Sequence, residues 1–368
     1  MTKKFITAIS FIAVIVIGML GCLSKYKQTE EFVKVGVLLP LTGDLAQYGI
    51  AIKNGIDLAY SESSIKNKIQ LVYEDEKGEP RTAITIVKKY LSKDKVDVLI
   101  GGATSAIAAS IIPITSKDKK VLISPYATAS ALFGEDNYFY SLQPSDNYEG
   151  LFIADYVVTQ KIDAIGVLYI NDNYGVGIST SFTDGLKEKN TQPLFTEGYI
   201  GGETNFKTQI NKMKSLGVKV VYLPGYYTEV SLILQQMKEL GCDFKIIGSS
   251  NFYDTRFLKQ SYAEGVVFCY LVLEKDSSDM YKTFVDSYSV KYNQQPDAFA
   301  IQGYNSFKFV EKIVLDNASN AKIDFQDVIK KVKKFQGVNS IINFSVDGSA
   351  INNLNMMEIR GGHFININ

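Results

Sequence analysis

From Val33 onward, short continuous apolar runs alternate with longer stretches whose apolar positions recur every three to four residues. Runs this uninterrupted and this short predict strands buried on both faces. They fall at Val33–Leu39, Ile69–Tyr73, Val96–Ile100 and Val121–Ser124. Helical periodicity lies between them, at Ala46–Tyr60, at Arg81–Leu91 just after Pro80, and at Ser105–Thr115, where Pro113 predicts a kink. The rhythm resumes after Asn147 with a helix to Thr159. Strands follow at Ala164–Tyr169, Leu194–Thr196, Val218–Leu223 and Lys245–Ile247, separated by helices at Ile178–Lys189, Phe206–Leu216 and Val230–Leu240. Such alternation predicts parallel sheets covered by helices on both faces. One unit before residue 145 and another after it give an α/β fold of two lobes.

The residues ahead of this pattern read differently. Lys3 and Lys4 precede an apolar run from Phe5 to Leu20, then Gly21-Cys22. A basic start, a short apolar core and a small residue before a break form a secretory signal. The run is shorter than the about 20 residues of a comfortable membrane span. An uncleaved anchor helix is the alternative, and under either reading the chain from about Val33 works outside the cytoplasm. Leu23 to Glu31 is polar and reads as a tether.

Composition narrows the chemistry. A chain of 368 residues, 46% hydrophobic, is long enough for two domains with substantial cores. Lys+Arg and Asp+Glu both number 39, so the basic excess of a nucleic-acid partner is missing. After Cys22 only Cys242 and Cys269 remain; a disulfide and two free thiols are both open. With one histidine, His363, near the end, a zinc site and a histidine-based triad lack their residues. No dinucleotide fingerprint opens the first helix, Gly101-Gly102-Ala103-Thr104-Ser105 lacks the P-loop lysine, and no G-x-S-x-G elbow occurs. Glu74, Asp75 and Glu76 follow a strand and read as a solvated acidic loop. An enzyme is therefore not expected, and no cofactor or metal is implied.

In open α/β sheets, ligands sit beyond the carboxyl ends of the strands. The unusual residues cluster there: Pro40 to Gly49, Gly101 to Ser105, Ser124 to Thr128, Asn171 to Gly175, and Pro224 to Glu229. Each exit carries small hydroxyl residues or tyrosines and opens onto a helix N-terminus, whose free N–H groups suit a carboxylate.

Met19-Leu20-Gly21-Cys22 resembles the bacterial lipobox, with Met where Leu is usual. That resemblance implies cleavage after residue 21, a lipid on Cys22, and residues 22–32 as the lipidated tether. The mature chain resembles the type I periplasmic solute-binding proteins of the branched-chain amino acid (Leu/Ile/Val-binding) family, which serve ABC transporters. The segments that carry it are Val35-Gly36-Val37-Leu38-Leu39-Pro40-Leu41-Thr42-Gly43, Ile123-Ser124-Pro125-Tyr126-Ala127-Thr128, Asp172-Asn173-Tyr174-Gly175, Gly225-Tyr226-Tyr227-Thr228-Glu229 and Ala263-Glu264-Gly265-Val266, in that order. It implies two Rossmann-like lobes with parallel sheets, joined by three hinge crossovers. One lobe would hold 33–143 plus 274–341, the other 144–273 plus 342–368. It further implies an exported, lipid-anchored monomer facing the periplasm or cell exterior, delivering a small ligand to a transporter permease. A binding protein that signals to a membrane receptor is the other role this fold serves.

By the same resemblance, ligand positions fall on Tyr48, on Ser105 as the carboxylate-binding serine, on the backbone of Tyr126, on the Thr128 hydroxyl, and on Tyr174 and Tyr226 in the second lobe. The structural readings of these residues are half-buried tyrosines and a helix cap. One departure stands out. Amino-acid-binding members carry an acid two residues after the glycine that ends a second-lobe strand; here that position is Ser250. A hydroxyl is a weak partner for an ammonium. Either Glu229 or Asp172 substitutes for the acid, or the ligand lacks an amine.

Overall fold

The structure is a computed structural model that describes residues 32–134, 138–272, 278–317 and 323–367. Cys22, the signal segment and most of the tether lie outside the described residues.

The first sheet holds β1 (Val33–Leu39), β2 (Ile69–Asp75), β3 (Val98–Gly101), β4 (Leu122–Ser124) and β5 (Phe139–Ser141) in the order β2-β1-β3-β4-β5. All its pairs are parallel. Helices α1 (Ala46–Glu62), α2 (Pro80–Lys89) and α3 (Ser105–Lys117) make the crossovers. Pro113 sits within α3. The central strands are apolar and buried throughout, as a sheet covered on both faces requires.

The second sheet is built the same way. Helices α4 (Asp146–Thr159), α5 (Asn173–Glu188), α6 (Lys207–Ser215) and α7 (Tyr227–Glu239) alternate with β6 (Ile165–Ile170), β7 (Phe195–Tyr199), β8 (Val220–Leu223), β9 (Lys245–Gly248) and β10 (Val267–Leu271). Two antiparallel strands, β14 (Leu354–Arg360) and β15 (His363–Asn366), extend its edge, giving β15-β14-β10-β9-β8-β6-β7.

Between β10 and β14 the chain returns to the first sheet. Helices α8 (Ser278–Tyr292) and α9 (Ala298–Asp316) pack on α1, where Gly303 and Gly55 let the α9 and α1 backbones meet. Short helix α10 (Phe325–Lys331) then leads into a three-stranded antiparallel sheet of β11 (Lys334–Gln336), β12 (Ile341–Phe344) and β13 (Ala350–Ile351). That sheet packs Phe335 and Phe344 on Phe309 of α9.

Three details differ from the sequence reading or decide it. The acidic run at the end of β2 is not a solvated loop. Asp75 accepts N–H bonds from Leu41 and Thr42 and so pins the loop after β1, while Glu76 is fully buried. Burial pushes the Glu76 carboxyl up to about 7. Cys242 and Cys269 are both free thiols, the latter buried in the core. Among the described residues no helix is long and apolar enough to cross a membrane.

Candidate functional site

The two sheets present their carboxyl edges to one another across a cleft. Close helix–strand packing fixes the exits. A Cβ on Gly49 would lie 1.9 Å from the Pro40 carbonyl oxygen, and one on Gly175 would lie 1.9 Å from that of Ile170. Only glycine lets the first turns of α1 and α5 seat against the strand ends, and this aims Tyr48 and Tyr174 inward.

On the first-lobe wall, Thr104 caps α3 by accepting the Ile107 N–H. Ser105 follows at the first helical position and is nearly fully buried. Its Oγ accepts N–H bonds from Thr128 and Ala129, at 3.3 and 3.1 Å, which ties two strand exits together. The hydroxyl proton is left to donate. Ser124 braces the same loop, donating to the Gly102 carbonyl and accepting the Ala127 N–H.

On the second-lobe wall, Asp172 caps α5 through the Gly175 N–H at 2.8 Å and accepts the Tyr226 hydroxyl at 3.0 Å. Tyr174 donates to Ser249 at 2.7 Å, and Asn251 donates to the Gly225 carbonyl at 3.1 Å. Burial, with the Asp172 charge beside it, pushes the Tyr226 hydroxyl well up, so it stays a neutral donor.

All seven residues expected at a ligand site line a single cavity: Tyr48, Ser105, Tyr126, Thr128, Tyr174, Tyr226 and Ser250. Phe299 and Asn251 join them. Phe299 belongs to α9 and forms the floor, its ring centroid 4.3 Å from those of both Tyr48 and Tyr126. The Tyr126 side chain, and not its backbone alone, therefore shapes the pocket. Free space is only about 20 Å³, far below the about 300 Å³ of an ordinary small-molecule pocket. The halves are drawn together over it. Tyr227 at the start of α7 donates its N–H to the Tyr48 hydroxyl across the cleft, at 2.6 Å. The Arg256 guanidinium lies over both rings, 4.8 Å from Tyr48 and 4.0 Å from Tyr227, while its Nε pairs with the fully buried Asp254.

A profile of the periplasmic binding protein family matches residues 33–363. The chain belongs to the periplasmic binding protein family. Members of the family are solute-binding proteins, not enzymes. A leucine-, isoleucine-, valine-, threonine- and alanine-binding protein of Pseudomonas aeruginosa is 25% identical over 300 residues, covering 78% of this chain and 79% of that relative. The Leu/Ile/Val-binding protein BraC3 of Rhizobium johnstonii is 27% identical over 301 residues, covering 79% of this chain and 80% of its own. A crystal structure of the branched-chain amino acid transporter substrate-binding protein LivJ from Streptococcus pneumoniae, in complex with isoleucine, superposes with a TM-score of 0.82. That pair shares 27% identity over 91% of this chain and 99% of LivJ.

The two carboxylates expected to replace an acid at position 250 are engaged elsewhere in this family member. Glu229 accepts the Gly202 N–H at 2.8 Å and is not part of the cavity wall. Asp172 is held by its cap and by Tyr226. Ser250 lines the cavity, and its own N–H donates at 2.8 Å to Glu149, a buried acid of α4 that the sequence reading passed over. Phe299, Asn251 and the Asp254–Arg256 pair were passed over too. The one available signal for Phe299 was Asp297, which caps α9 through the Ala300 N–H just before an apolar helical pattern.

Proposed function

We propose that this chain captures a small carboxylate-bearing solute between its lobes, a branched-chain amino acid or a related small carboxylate or amide, and delivers it to the permease of an ABC transporter. The observation that carries this reading is the convergence of residues from six strand exits, three in each lobe, on one cavity with α9 as its floor. Ser105 at the start of α3 and Thr128 beside it offer hydroxyls and a helix N-terminus to a carboxylate. Tyr174, Tyr226 and Tyr48, with Phe299, offer aromatic faces to an apolar side chain. Leucine, isoleucine and valine, for which the Pseudomonas relative is named, and the isoleucine bound to LivJ pair a carboxylate with an aliphatic body.

A cavity of about 20 Å³ admits such a solute only when the lobes separate. The reading is therefore a hinge that opens, takes the ligand, and closes by contacting it from both sides. The proposed lobes are 33–143 with 274–351, since β12 and β13 pair with β11, and 144–273 with the remainder. Export and a lipid on Cys22 belong to the same proposal. They rest on the lipobox-like Met19-Leu20-Gly21-Cys22 and on the exported character of the family. A thermal-shift screen over amino acids, amides, polyamines and small organic acids tests the reading. Saturable stabilisation by a small carboxylate, lost in Ser105→Ala, is expected. Stabilisation by polyamines alone, or a ligand response that Ser105→Ala leaves intact, contradicts it.

A further inference from the structure

Beside the cavity, and not part of its wall, the first turn of α9 meets the second lobe at a cluster of charges. Asp297 lies two residues before the floor residue Phe299 and is partly buried. It caps α9, its carboxylate accepting the Ala300 N–H at 2.8 Å. The Ala298 N–H is one of the helix's unpaired donors, and it reaches across the lobes to the Tyr253 carbonyl at 3.4 Å. That bond sets Asp297 beside Asp254, which is 0% exposed, and beside Arg256, whose Nε donates to Asp254. The same guanidinium lies 4.8 Å over the Tyr48 ring of the first lobe.

Two carboxylates, one from each lobe, thus share a single guanidinium where the lobes meet. Arg256 is committed to Asp254 through both Nε and Nη2. Asp297 feels its attraction only at a distance, together with the repulsion of Asp254. The other titratable groups facing Asp297 are Tyr126 after β4, Tyr270 of β10 and Tyr288 of α8, all held neutral by burial. Bringing the lobes together therefore crowds two acids, and parting them relieves the crowding and admits water.

We propose that closure of the lobes takes up one proton on Asp297, so that solute capture is tightened by acid in the surroundings. This rests on the reading of the chain as a hinge that closes on a ligand. In the closed form, burial and the Asp254 charge push the Asp297 carboxyl up to about 7, against the pull of the Ala300 and Phe299 N–H groups and of Arg256. In the open form Asp254 and Arg256 withdraw with the second lobe, and the carboxyl returns toward its ordinary value of about 4. Carboxylate plus one proton from the buffer gives the carboxylic acid, and nothing else is exchanged. The neutral group keeps an oxygen for the Ala300 N–H, so the cap survives. A group raised in the closed form favours closure fully below its open-form value, and that advantage is lost as pH climbs through the closed-form one. Affinity should fall as pH rises between about 4 and 7, by at most about ten-fold per pH unit, and be level above.

A cap alone affects the stability of α9 and gives closure no pH dependence. Asparagine caps helices as well as aspartate does, so Asp297→Asn keeps α9 and Phe299 in place and removes only the titrating group. The experiment reads a fluorophore pair, one label on each lobe of the full mature chain without ligand, from pH 5 to 8.5. The wild-type ratio of closed to open form is expected to rise at least about three-fold from pH 8 to 5.5, and that of Asp297→Asn by less than half as much. Calorimetry with leucine at pH 6, in two buffers of different ionisation heat, should show uptake of up to one proton by the wild type and less by Asp297→Asn. A flat wild-type profile, or an Asp297→Asn profile that matches the wild type, overturns the inference. Should Asp297→Asn fail to fold, Asp254→Asn removes the repelling charge and should flatten the profile as well; an unchanged one overturns the inference. A label separation that responds to a solute of the screen but not to pH overturns the proton uptake and leaves the hinge standing. One that responds to neither overturns both.

Discussion

Tyr48→Phe removes one oxygen atom from the cleft and leaves everything else in place. The ring keeps its contact with Phe299 at 4.3 Å, with Tyr226 at 6.2 Å, and with the Arg256 guanidinium at 4.8 Å. The lost atom is the acceptor of the Tyr227 N–H, which reaches it across the cleft at 2.6 Å. Tyr227 is the first residue of α7, so that N–H is one of the helix's unpaired donors and has no intrahelical partner to fall back on. In the open form both groups face water and the substitution is nearly silent. In the closed form a donor is stranded, at a cost of about 1–3 kcal/mol. The closed population, and any affinity that depends on it, should drop by roughly 5- to 150-fold. A water entering the small space left by the hydroxyl would hold the loss near the lower figure. The assay is a fluorophore pair with one label on each lobe, read against ligand concentration, alongside calorimetry. A Tyr48→Phe protein that closes at the same ligand concentration as the wild type refutes the claim that this contact joins the lobes.

Three further outcomes are expected. Glu76 is buried with its carboxyl raised from 4.5 to about 7. A raised carboxyl stabilises the fold below the unfolded value and loses that contribution as pH climbs through the folded one. Wild-type stability relative to Glu76→Gln should therefore fall by up to about 3 kcal/mol between pH 4.5 and 7, read by urea unfolding at several pH values; a flat difference contradicts the buried acid. Arg256→Ala leaves the buried Asp254 with the backbone N–H of residue 256 but without its counter-charge and should destabilise by about 3 kcal/mol, most of it recovered in Arg256→Ala with Asp254→Asn, whereas a loss that the second substitution does not relieve contradicts the pairing. Cys22→Ser should move the protein from the membrane fraction to the soluble one, with lipid on Cys22 of the wild type by mass spectrometry; equal partitioning of both contradicts the anchor.

The fold was legible because its physics is local. A parallel strand covered on both faces is an apolar run, and β1, β4, β6 and β9 all begin within a residue of where such runs begin. The exits were legible too, since glycine and hydroxyl residues after a strand mark a helix start. What was not legible depends on long-range packing. Asp146 and Glu149 look like the ordinary solvated acids of a first helical turn. They are buried because α4 and α5 pack closely, with Gly150 against the α5 backbone and Gly177 beside the Asp146 carboxylate. Glu76 looked like loop charge, and its burial follows from β2 running on to Asp75 while its N–H pairs with the Leu39 carbonyl. Phe299 sits 251 positions after Tyr48, and only the packing of α9 on α1 places its ring in the cleft.

The central claim is that two lobes close on a small solute held by both. Solution scattering of the mature chain, with and without a saturating amino acid identified by the screen, tests it most directly. A decrease in the radius of gyration on ligand addition, reversed by Tyr226→Ala at the same ligand concentration, is the expected result. An unchanged radius at a ligand concentration where calorimetry shows the site full would contradict closure around the ligand.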